Sequence, residues 1–264
     1  MKKILLTTAV VIFAGVLLYS LARIVLTESD YRKAEEIYGQ SREQNFHVED
    51  PDPEAPVSNT SEEYFPEVSV DFKTLETENS EVIGWLWIPG TEISFPLLRG
   101  VDNSKYLSLS YNLKRTNSGS IFMDYRNSGC FDDSNTVIYG HNMKSGGMFG
   151  TLKSYADADF FSEHSYFYVF TAERVYKYRV FACGTTEADS HSFTRIFTDD
   201  FSFDDFTAYV KGYSGGNFSE APEKAVPLVT LSTCTSGSRS SRFVVHAYLA
   251  ASKSTAAVSV GKVA

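Results

Sequence analysis

Two apolar runs near the C-terminus, joined by a short polar loop, constrain the fold of this chain most strongly. The run 226–234 (VPLVTLSTC) is rich in β-branched residues, which predicts a buried strand, and it ends on Cys234. The loop 235–241 is small and polar, as is typical of a turn, and the second apolar run, 242–249, begins with Arg242. Two strands joined so closely bring a thiol and a guanidinium to the same end of a sheet. A thiol beside a fixed positive charge is a candidate nucleophile.

A third apolar run ends on a residue that can act as an acid or a base. The run 135–139 is followed by Gly140, which lets the backbone turn sharply, and then by His141. An imidazole is a common general acid or base near neutral pH. We therefore expect three strand ends, carrying His141, Cys234 and Arg242, to meet on one rim of a barrel.

Five blocks of this sequence, in collinear order, resemble the sortases, the cysteine transpeptidases of Gram-positive cell surfaces. The blocks are Val82-Ile-Gly-Trp-Leu-Trp-Ile88, Asp102-Asn103 with Tyr106-Leu107, Gly119-Ser-Ile-Phe-Met-Asp-Tyr-Arg126, Tyr139-Gly-His-Asn-Met-Lys-Ser-Gly-Gly-Met-Phe-Gly150, and Thr230-Leu-Ser-Thr-Cys234 with Arg242-Phe-Val-Val-His246. Most of them are similar in particular to the class B subgroup. A Thr-Leu-x-Thr-Cys motif alone would be a weak signal, whereas blocks in this order over residues 68–250 are a specific one.

The resemblance implies a mostly-β fold, a closed eight-stranded barrel with a few peripheral helices. It also implies thiol-protease-type chemistry in which His141, Cys234 and Arg242 are the catalytic residues. Enzymes of this family cleave a C-terminal sorting motif of secreted proteins, here NPxTN-like or PxTG-like, between the threonine and the next residue. They form a cysteine thioester and pass the acyl group to an amine of a peptidoglycan precursor or cross-bridge, or to a pilin lysine. The sequence leaves the exact motif and the acceptor open.

The substrate groove is assigned by motif match alone. The resemblance implies that Asn103, Leu107, Tyr139 and Ser232 line it. Ordinary packing inside the barrel is an equally good explanation of Leu107 and Tyr139. Ser232 lies two residues before Cys234 and therefore on the same face of its strand, which favours a place in the groove.

Other residues compete for these roles. Arg239, in the loop, is a rival to Arg242, but a guanidinium anchored on a strand is better preorganised. His246 shares a strand face with Arg242, yet a hydrogen-bonded core histidine is the more ordinary interpretation. Cys183 lies in an apolar strand pattern, which predicts a buried and inert thiol. The candidates for which we predict no role lie in polar loops or in the linker: Cys130, His47, His164 and His191.

The N-terminal segment predicts a membrane anchor. Residues 4–22 carry no charge, are rich in Leu, Val, Ile and Ala, and are numerous enough to span a bilayer. A cleaved signal peptide is the alternative, but no A-x-A-like cleavage site follows the run. The two lysines before the run, Lys2 and Lys3, outnumber the single Arg23 that directly follows it, which favours a cytoplasmic N-terminus and an extracellular catalytic domain. We assign residues 1–26 to a cytoplasmic stub and a single-pass signal anchor.

The rest of the chain divides into three parts. Residues 27–67 predict a juxtamembrane helix, to about Asn45, and then a linker rich in proline and acidic residues that acts as a spacer. Residues 68–251 predict the catalytic domain. Residues 252–264 are small and polar and predict a disordered tail.

Within the catalytic domain, short apolar runs alternate with turn signals. Besides the two closing runs, strands are predicted at 82–88, 93–98, 120–123, 136–139, 166–171 and 174–182. Helices are predicted from 71, within 150–161 and over 203–211. Closing these strands into a barrel would leave no exposed sheet edge.

Composition and spacing exclude several classes of partner and site. A net charge of −9 and a pI near 5.1 argue against nucleic acid or anionic lipid headgroups as the main partner. We expect no cofactor and no metal, because the sequence has no phosphate-binding glycine loop, no CxxC or HxxxH spacing and no clear acidic calcium cluster.

Two alternative functions remain. One is a cysteine hydrolase of wall peptides, of the papain or NlpC/P60 type, in which the cysteine usually precedes the histidine along the chain. Here His141 precedes Cys234, which counts against it. The other is a membrane-tethered surface module that binds a partner without catalysis.

Overall fold

The computed structural model describes residues 2–49, 64–213, 215–234 and 240–255. Most of the predicted linker, the loop residue Arg239 and most of the predicted tail lie outside the described residues.

The core of the molecule is a closed barrel of eight strands, which confirms the predicted fold class. In chain order the strands of the structure are β1 (Phe46–Val48), β2 (Val68–Val70), β3 (Val82–Trp87), β4 (Ser94–Leu98), β5 (Ile121–Met123), β6 (Asn135–Tyr139), β7 (Tyr166–Phe170), β8 (Arg174–Glu187), β9 (Leu228–Cys234) and β10 (Ser241–Ser254). Around the barrel the order is β10-β8-β7-β3-β4-β5-β6-β9, and β9 closes it by pairing with β10. The pairs β4–β5 and β6–β9 are parallel, and the other barrel pairs are antiparallel.

Strand β9 shows how the sequence pattern produces this position. Its residues are buried from Leu228 to Thr233, and only the terminal Cys234 is exposed. The strand carries no charged residue, and its polar positions are the small hydroxyl residues Thr and Ser, which suits a strand covered on both faces. The barrel interior covers one face. On the other side Leu228 belongs to a second apolar cluster, together with Phe206 and Val210.

That second cluster is built on the predicted helix over 203–211. The helix α4 (Phe203–Lys211) begins with a capping box, in which Ser202 and Asp205 satisfy each other's backbone N–H groups. Two shorter helices, α2 (Phe72–Glu78) and α3 (Ala158–Glu163), lie elsewhere on the barrel.

Strand β10 extends further than the sequence pattern indicates. It continues to Ser254, and the pairs Ser252–Tyr176 and Lys253–Val175 join it to β8. Residues 252–254, assigned to the tail from their composition, therefore belong to the barrel sheet. Hydrophobic patterning could not detect this extension, because exposed polar residues are held there by backbone pairing.

The N-terminal half of the chain begins with one long helix, α1 (Lys2–Asn45). It is long and apolar enough to cross a membrane. The predicted apolar run and the predicted juxtamembrane helix are thus two halves of one element. Beyond the apolar run, every third or fourth residue of α1 is buried against the barrel, at Ala34, Tyr38, Ser41 and Asn45.

The linker after α1 does not separate the barrel from this helix. Strands β1 and β2 pair antiparallel, with Val48 opposite Val68, and the Glu49 N–H donates to the Glu67 carbonyl at 2.9 Å. The two ends of the linker therefore lie side by side. Helix α1 itself docks on the barrel, and the spacer role expected for the linker from its composition stays a prediction.

Candidate active site

One cleft at the ends of β6, β9 and β10 contains every site residue named from the sequence. Its volume is about 270 Å³. The predicted residues that line it are His141, Cys234, Arg242, Asn103, Leu107, Tyr139 and Ser232. Sequence reasoning missed the other lining residues, which are Phe122, Gly140, Ala188, Phe193 and Thr233.

Cys234 and Arg242 come together through an antiparallel pair. Cys234 is the last residue of β9, and it lies directly opposite Arg242 on β10. Residues opposite each other in such a pair project to the same side of the sheet, with Cβ atoms about 5 Å apart. The cysteine is exposed and the arginine is half-buried. This hairpin therefore brings a thiol and a fixed cation to one point of the cleft.

His141 reaches the same part of the cleft from a parallel strand. In the β6–β9 pair Tyr139 lies opposite Ser232, and the Gly140 N–H donates to the Ser232 carbonyl at 3.1 Å. His141 follows Tyr139 by two residues, just beyond the end of β6, and Cys234 follows Ser232 by two residues at the end of β9, so the parallel register brings both to the same end of the sheet.

Hydrogen bonds fix the end of β6 and the imidazole. The side-chain amide of Asn142 donates to the Cys234 carbonyl at 2.8 Å, which ties the two strand ends together. The Nε2 atom of His141 lies 2.8 Å from the Leu107 carbonyl oxygen. Because a carbonyl only accepts hydrogen bonds, this contact requires a proton on Nε2. The half-buried imidazole therefore has a fixed orientation at the edge of the cleft.

Gly140 is required for a reason other than the sharp turn expected from the sequence. It is not among the glycines of the described residues that have positive φ. A Cβ atom there would lie 2.5 Å from Cδ1 of Ile121 and 2.6 Å from the ring of Phe149. Gly140 therefore permits close packing immediately before His141.

No sequence signal singled out Asp124, a carboxylate with no exposed side-chain surface just after β5. The guanidinium of Arg126 donates to both of its oxygens, at 2.8 and 2.7 Å. The Asn103 amide and the Tyr139 hydroxyl each donate to Oδ2 at 2.9 Å. Burial alone would raise the pKa of Asp124, but these hydrogen bonds outweigh it and hold the pKa well below its usual value. Asp124 is a charged anchor beneath the cleft.

This anchor orients two of the predicted groove residues. The Asn103 amide donates to Asp124 through Nδ2, and its Oδ1 accepts the Tyr125 N–H at 3.0 Å. Its carbonyl and amino ends are therefore distinguished by their partners, and one Nδ2 hydrogen remains for a ligand. Tyr139 is half-buried, and burial followed by the nearby Asp124 charge raises its pKa well above the usual range. It lines the cleft as a neutral hydrogen-bond donor.

Ser232 supplies a buried polar atom to the cleft. Within the part of the chain that the structure describes, its hydroxyl and that of Thr233 are buried without a hydrogen-bond partner. Buried hydroxyls in proteins are usually paired, so a lining hydroxyl without a partner is suited to a ligand.

The opposite wall of the cleft comes from the connection after β8. Ala188 and Phe193 lie there, and the Phe193 ring stacks near Tyr139 with ring centroids 6.4 Å apart. These residues carry no motif of their own. Only the tertiary fold brings them to the cleft.

Among the described residues, those that the sequence analysis weighed against the three catalytic candidates do not line the cleft. His246 is fully buried, with Nδ1 2.9 Å from the Thr230 hydroxyl and Nε2 2.8 Å from the Tyr213 hydroxyl, which confirms the core interpretation. Cys183 is buried as predicted, and burial raises the pKa of its thiol to about 11. Cys130 is exposed outside the cleft. Arg239 lies outside the described residues.

His164, for which no functional role is predicted, packs against neighbouring residues. It is half-buried, its Nδ1 lies 3.0 Å from the Pro89 carbonyl, and its ring packs against Phe160. The turn at Gly90 leaves room for this ring, because a Cβ there would lie 2.8 Å from it.

The geometry of the cleft agrees with the comparison to protein families. A model of the sortase domain matches residues 86–250. The chain belongs to the sortase family. Sortase B of Listeria monocytogenes is 38% identical over 168 residues, which are 64% of this chain and 68% of the relative. The protein is therefore a cysteine transpeptidase of the general sortase type, and its relatives place it in class B.

Solved structures of class B sortases share this fold. Sortase B from B. anthracis, in complex with AAEK1, has a TM-score of 0.68 and 31% identity, and the match covers 84% of this chain and 98% of that one. The substrate complex of Staphylococcus aureus sortase B has a TM-score of 0.62 and 30% identity, with 67% and 83% covered.

The absence of a cofactor or metal stays a prediction. Among the described residues, no group of three or more His, Cys, Asp or Glu side chains is arranged to hold a metal ion.

Proposed function

We propose that this sortase is a membrane-anchored, extracellular transpeptidase that uses Cys234, Arg242 and His141 to join secreted proteins to an amine. One observation carries the proposal. The thiol and the guanidinium face each other across β9 and β10, and the imidazole follows the parallel strand to the same cleft. These are a nucleophile, an oxyanion donor and a general acid on three rigid strand ends.

The first half of the reaction forms a thioester. The Cys234 thiolate attacks the carbonyl carbon of the threonine in an NPxTN-like or PxTG-like sorting motif. The Arg242 guanidinium, charged at any relevant pH, donates hydrogen bonds to the oxygen that becomes negative. Because Arg242 is anchored on β10 directly opposite the thiol, this donor needs little reorganisation.

His141 transfers a proton in each half of the reaction. As the C–N bond breaks, the imidazolium gives its proton to the leaving amine, and the neutral imidazole later takes a proton from the incoming amine. The second amine then attacks the thioester and releases Cys234. A peptidoglycan cross-bridge or precursor amine and a pilin lysine are both acceptors of this chemistry.

The rest of the cleft binds the sorting motif as an extended peptide. Ser232 offers a buried hydroxyl that has no partner among the described residues, and Asn103 offers one oriented N–H. Leu107 and Phe193 supply apolar walls. The related S. aureus sortase B, solved as a substrate complex, supports a sorting-signal partner for this cleft.

The apolar half of α1 is the proposed membrane anchor. It is long enough to cross a bilayer, and its large apolar side chains are exposed. Lys2 and Lys3 before this run favour a cytoplasmic N-terminus, so that the barrel lies on the extracellular side where secreted proteins emerge.

A panel of sorting-motif peptides tests this function. The protein is incubated with each peptide, with and without triglycine, and the products are identified by mass spectrometry. We expect cleavage after the motif threonine, a triglycine adduct, and loss of both products in Cys234→Ala.

Two results would favour the alternatives. Cleavage to the free acid with no triglycine adduct would favour a cysteine hydrolase of wall peptides. Binding of a motif peptide that is unchanged in Cys234→Ala, with no product from either protein, would favour a surface binding module. Cys183→Ala, which removes a buried thiol outside the cleft, is the matched control.

A further inference from the structure

The C-terminal part of helix α1, which carries the buried residues Ala34, Tyr38, Ser41 and Asn45, contacts the barrel beside the active-site cleft. We call this part the docked half of α1. Tyr38 is the centre of this contact, with only 3% of its surface exposed. Its ring packs edge-on against Phe95, with centroids 5.4 Å apart, and tilted against Tyr111, with centroids 5.8 Å apart. This residue of the N-terminal helix is therefore part of the core of the catalytic domain.

The Tyr38 hydroxyl holds one turn of the barrel. It donates to the Gly119 carbonyl at 2.6 Å and lies 2.9 Å from the Ser120 hydroxyl. Ser120 is bonded in turn to the segment below the cleft, since its N–H donates to the Tyr106 carbonyl at 2.9 Å and its hydroxyl donates to the Leu109 carbonyl at 2.7 Å. One hydroxyl of α1 thus fixes a turn that is cross-linked to residues 106–109.

That turn lies directly against the imidazole of His141. Gly119 has a φ of +56°, and a Cβ atom there would lie 3.0 Å from Cδ2 of His141 and 2.9 Å from the Leu107 carbonyl oxygen. The same Leu107 carbonyl accepts the hydrogen bond from Nε2 of His141. A shift of the Gly119 turn would therefore move both the surface against which the imidazole packs and its hydrogen-bond acceptor.

We propose that Tyr38 is a positioning residue for His141, so that the docked half of α1 is a working part of the active site. The proposal rests on the catalytic role proposed for His141. Tyr38 acts through the Gly119 turn and the Leu107 carbonyl, and it does not touch the substrate. Proton transfer depends steeply on geometry, because a displacement near 1 Å can cost about a hundredfold in rate.

Other contacts dock the helix independently of this hydroxyl. The Arg42 guanidinium pairs with Glu92 at 3.3 Å and lies over the Phe95 ring at 5.7 Å. Asn117 donates to the carboxylate of Asp30. Removal of one hydroxyl from the interface should therefore leave α1 in place and affect only the turn.

The test uses the full chain in detergent micelles and compares Tyr38→Phe with Tyr31→Phe. Tyr31 is partly buried on the same helix, two turns earlier, and is the matched control. Two readouts are needed: the ring chemical shifts of labelled histidines, and kcat and KM for a sorting peptide. His246, fully buried in the core, reports whether the fold is intact.

In Tyr38→Phe we expect changed ring shifts for His141, unchanged shifts for His246, and a kcat reduced about tenfold with KM within about twofold. Tyr31→Phe should match the wild type. An unchanged His141 signal together with a wild-type kcat would overturn the proposal, even if the thermal midpoint fell, because Tyr38 would then only anchor the helix.

The magnetic resonance readout does not depend on catalysis. If the wild type transfers no peptide but the His141 signal still responds to Tyr38→Phe, the proposed function fails while the positioning contact stands. If Tyr38→Phe does not fold, Ser120→Ala removes the second partner of the hydroxyl and keeps the test decisive. The His141 signal should shift in that variant too, and an unchanged signal would count against the proposal.

Discussion

Two histidines, on the two strands that flank β9, have opposite environments. His141 follows β6 at the rim, where its half-buried ring has the Leu107 carbonyl as partner and faces an open cleft. His246 lies inside β10, fully buried between the hydroxyls of Thr230 and Tyr213. Burial lowers the pKa of His246 to about 3, so it is neutral at physiological pH.

The difference shows how one barrel separates chemistry from stability. At the strand ends, side chains reach the cleft, and their polar atoms can be used by a substrate. A few residues into the same sheet, each polar atom needs a protein partner, and His246 belongs to a chain of hydrogen bonds that runs from Asn135 to Ser192. We therefore expect substitutions at the rim to lower activity and substitutions in the buried hydrogen-bond chain to lower the stability of the fold.

The largest expected effect is on activity at the rim. His141→Gln should lower kcat/KM for a sorting peptide by about a thousandfold, since a positioned general acid or base contributes 10²- to 10⁴-fold. Its free energy of unfolding should stay within about 1 kcal/mol of the wild type. Peptide kinetics and urea denaturation measure the two quantities. A variant that kept more than a tenth of the activity would remove His141 from the mechanism.

The next effect concerns the core. His246→Ala should lower the free energy of unfolding by about 2–4 kcal/mol, because it leaves a cavity and removes one hydrogen-bond partner from each of two buried hydroxyls. The folded fraction should keep kcat within about twofold of the wild type. The exposed His47→Ala is the control. A thousandfold loss of kcat in folded His246→Ala would break the division between rim and core.

The same core histidine predicts a dependence of stability on pH. In the unfolded chain His246 binds a proton near its usual pKa of about 6.5, whereas in the folded protein it does so only near 3. Between these values the unfolded state binds more protons, so stability is full above about pH 6.5 and falls as the pH drops towards 3.

The titration of His246 alone changes the free energy of unfolding by at most about 1.4 kcal/mol per pH unit. It is measured as the difference between the wild type and His246→Ala in urea denaturation from pH 7 to pH 4. The difference in stability should shrink as the pH falls. A difference that stayed constant over this range would mean that His246 is not buried as a neutral group.

A smaller effect is expected for the anchor beneath the cleft. Asp124→Asn should raise KM for the sorting peptide about fivefold with little change in kcat, because Asn103 and Tyr139 lose their shared carboxylate. Asp132→Asn, an exposed carboxyl outside the cleft, is the matched control. An unchanged KM would show that Asn103 keeps its orientation without the charge.

The smallest effect is expected from lengthening the linker between β1 and β2. Insertion of about fourteen Gly and Ser residues within 50–63 doubles a loop whose ends are already joined by β1 and β2, which costs about 0.6 kcal/mol. Activity and the distance between α1 and the barrel should not change. A drop in activity of more than twofold would show that the length of the linker matters for the reaction.

Sequence alone predicted the barrel and seven of the residues that line the cleft, and the reason is local. Cys234, Arg242 and His141 each stand at the end of an apolar run, so strand periodicity and the family motifs identify both the strand and the residue. The same holds for Ser232, whose position relative to Cys234 follows from the two-residue period of a strand.

The features that could not be predicted depend on contacts between distant parts of the chain. Tyr38 and Gly119 are 81 residues apart, and no sequence pattern in either segment predicts the hydrogen bond between them. Asp124 looks like an ordinary loop acid until the fold surrounds it with donors. The pairing of the two ends of the linker could not be predicted for the same reason, because the composition of the linker does not reveal it.

The most direct test of the central claim is to find which thiol carries the acyl group. The protein is incubated with an intact sorting peptide that it cleaves, with no amine acceptor added, and is then quenched in acid and mapped by mass spectrometry. The account predicts a hydroxylamine-sensitive acyl adduct on Cys234, absent in Cys234→Ala, with none on Cys130 or Cys183. An adduct on another cysteine, or cleavage that persists in Cys234→Ala, would contradict it.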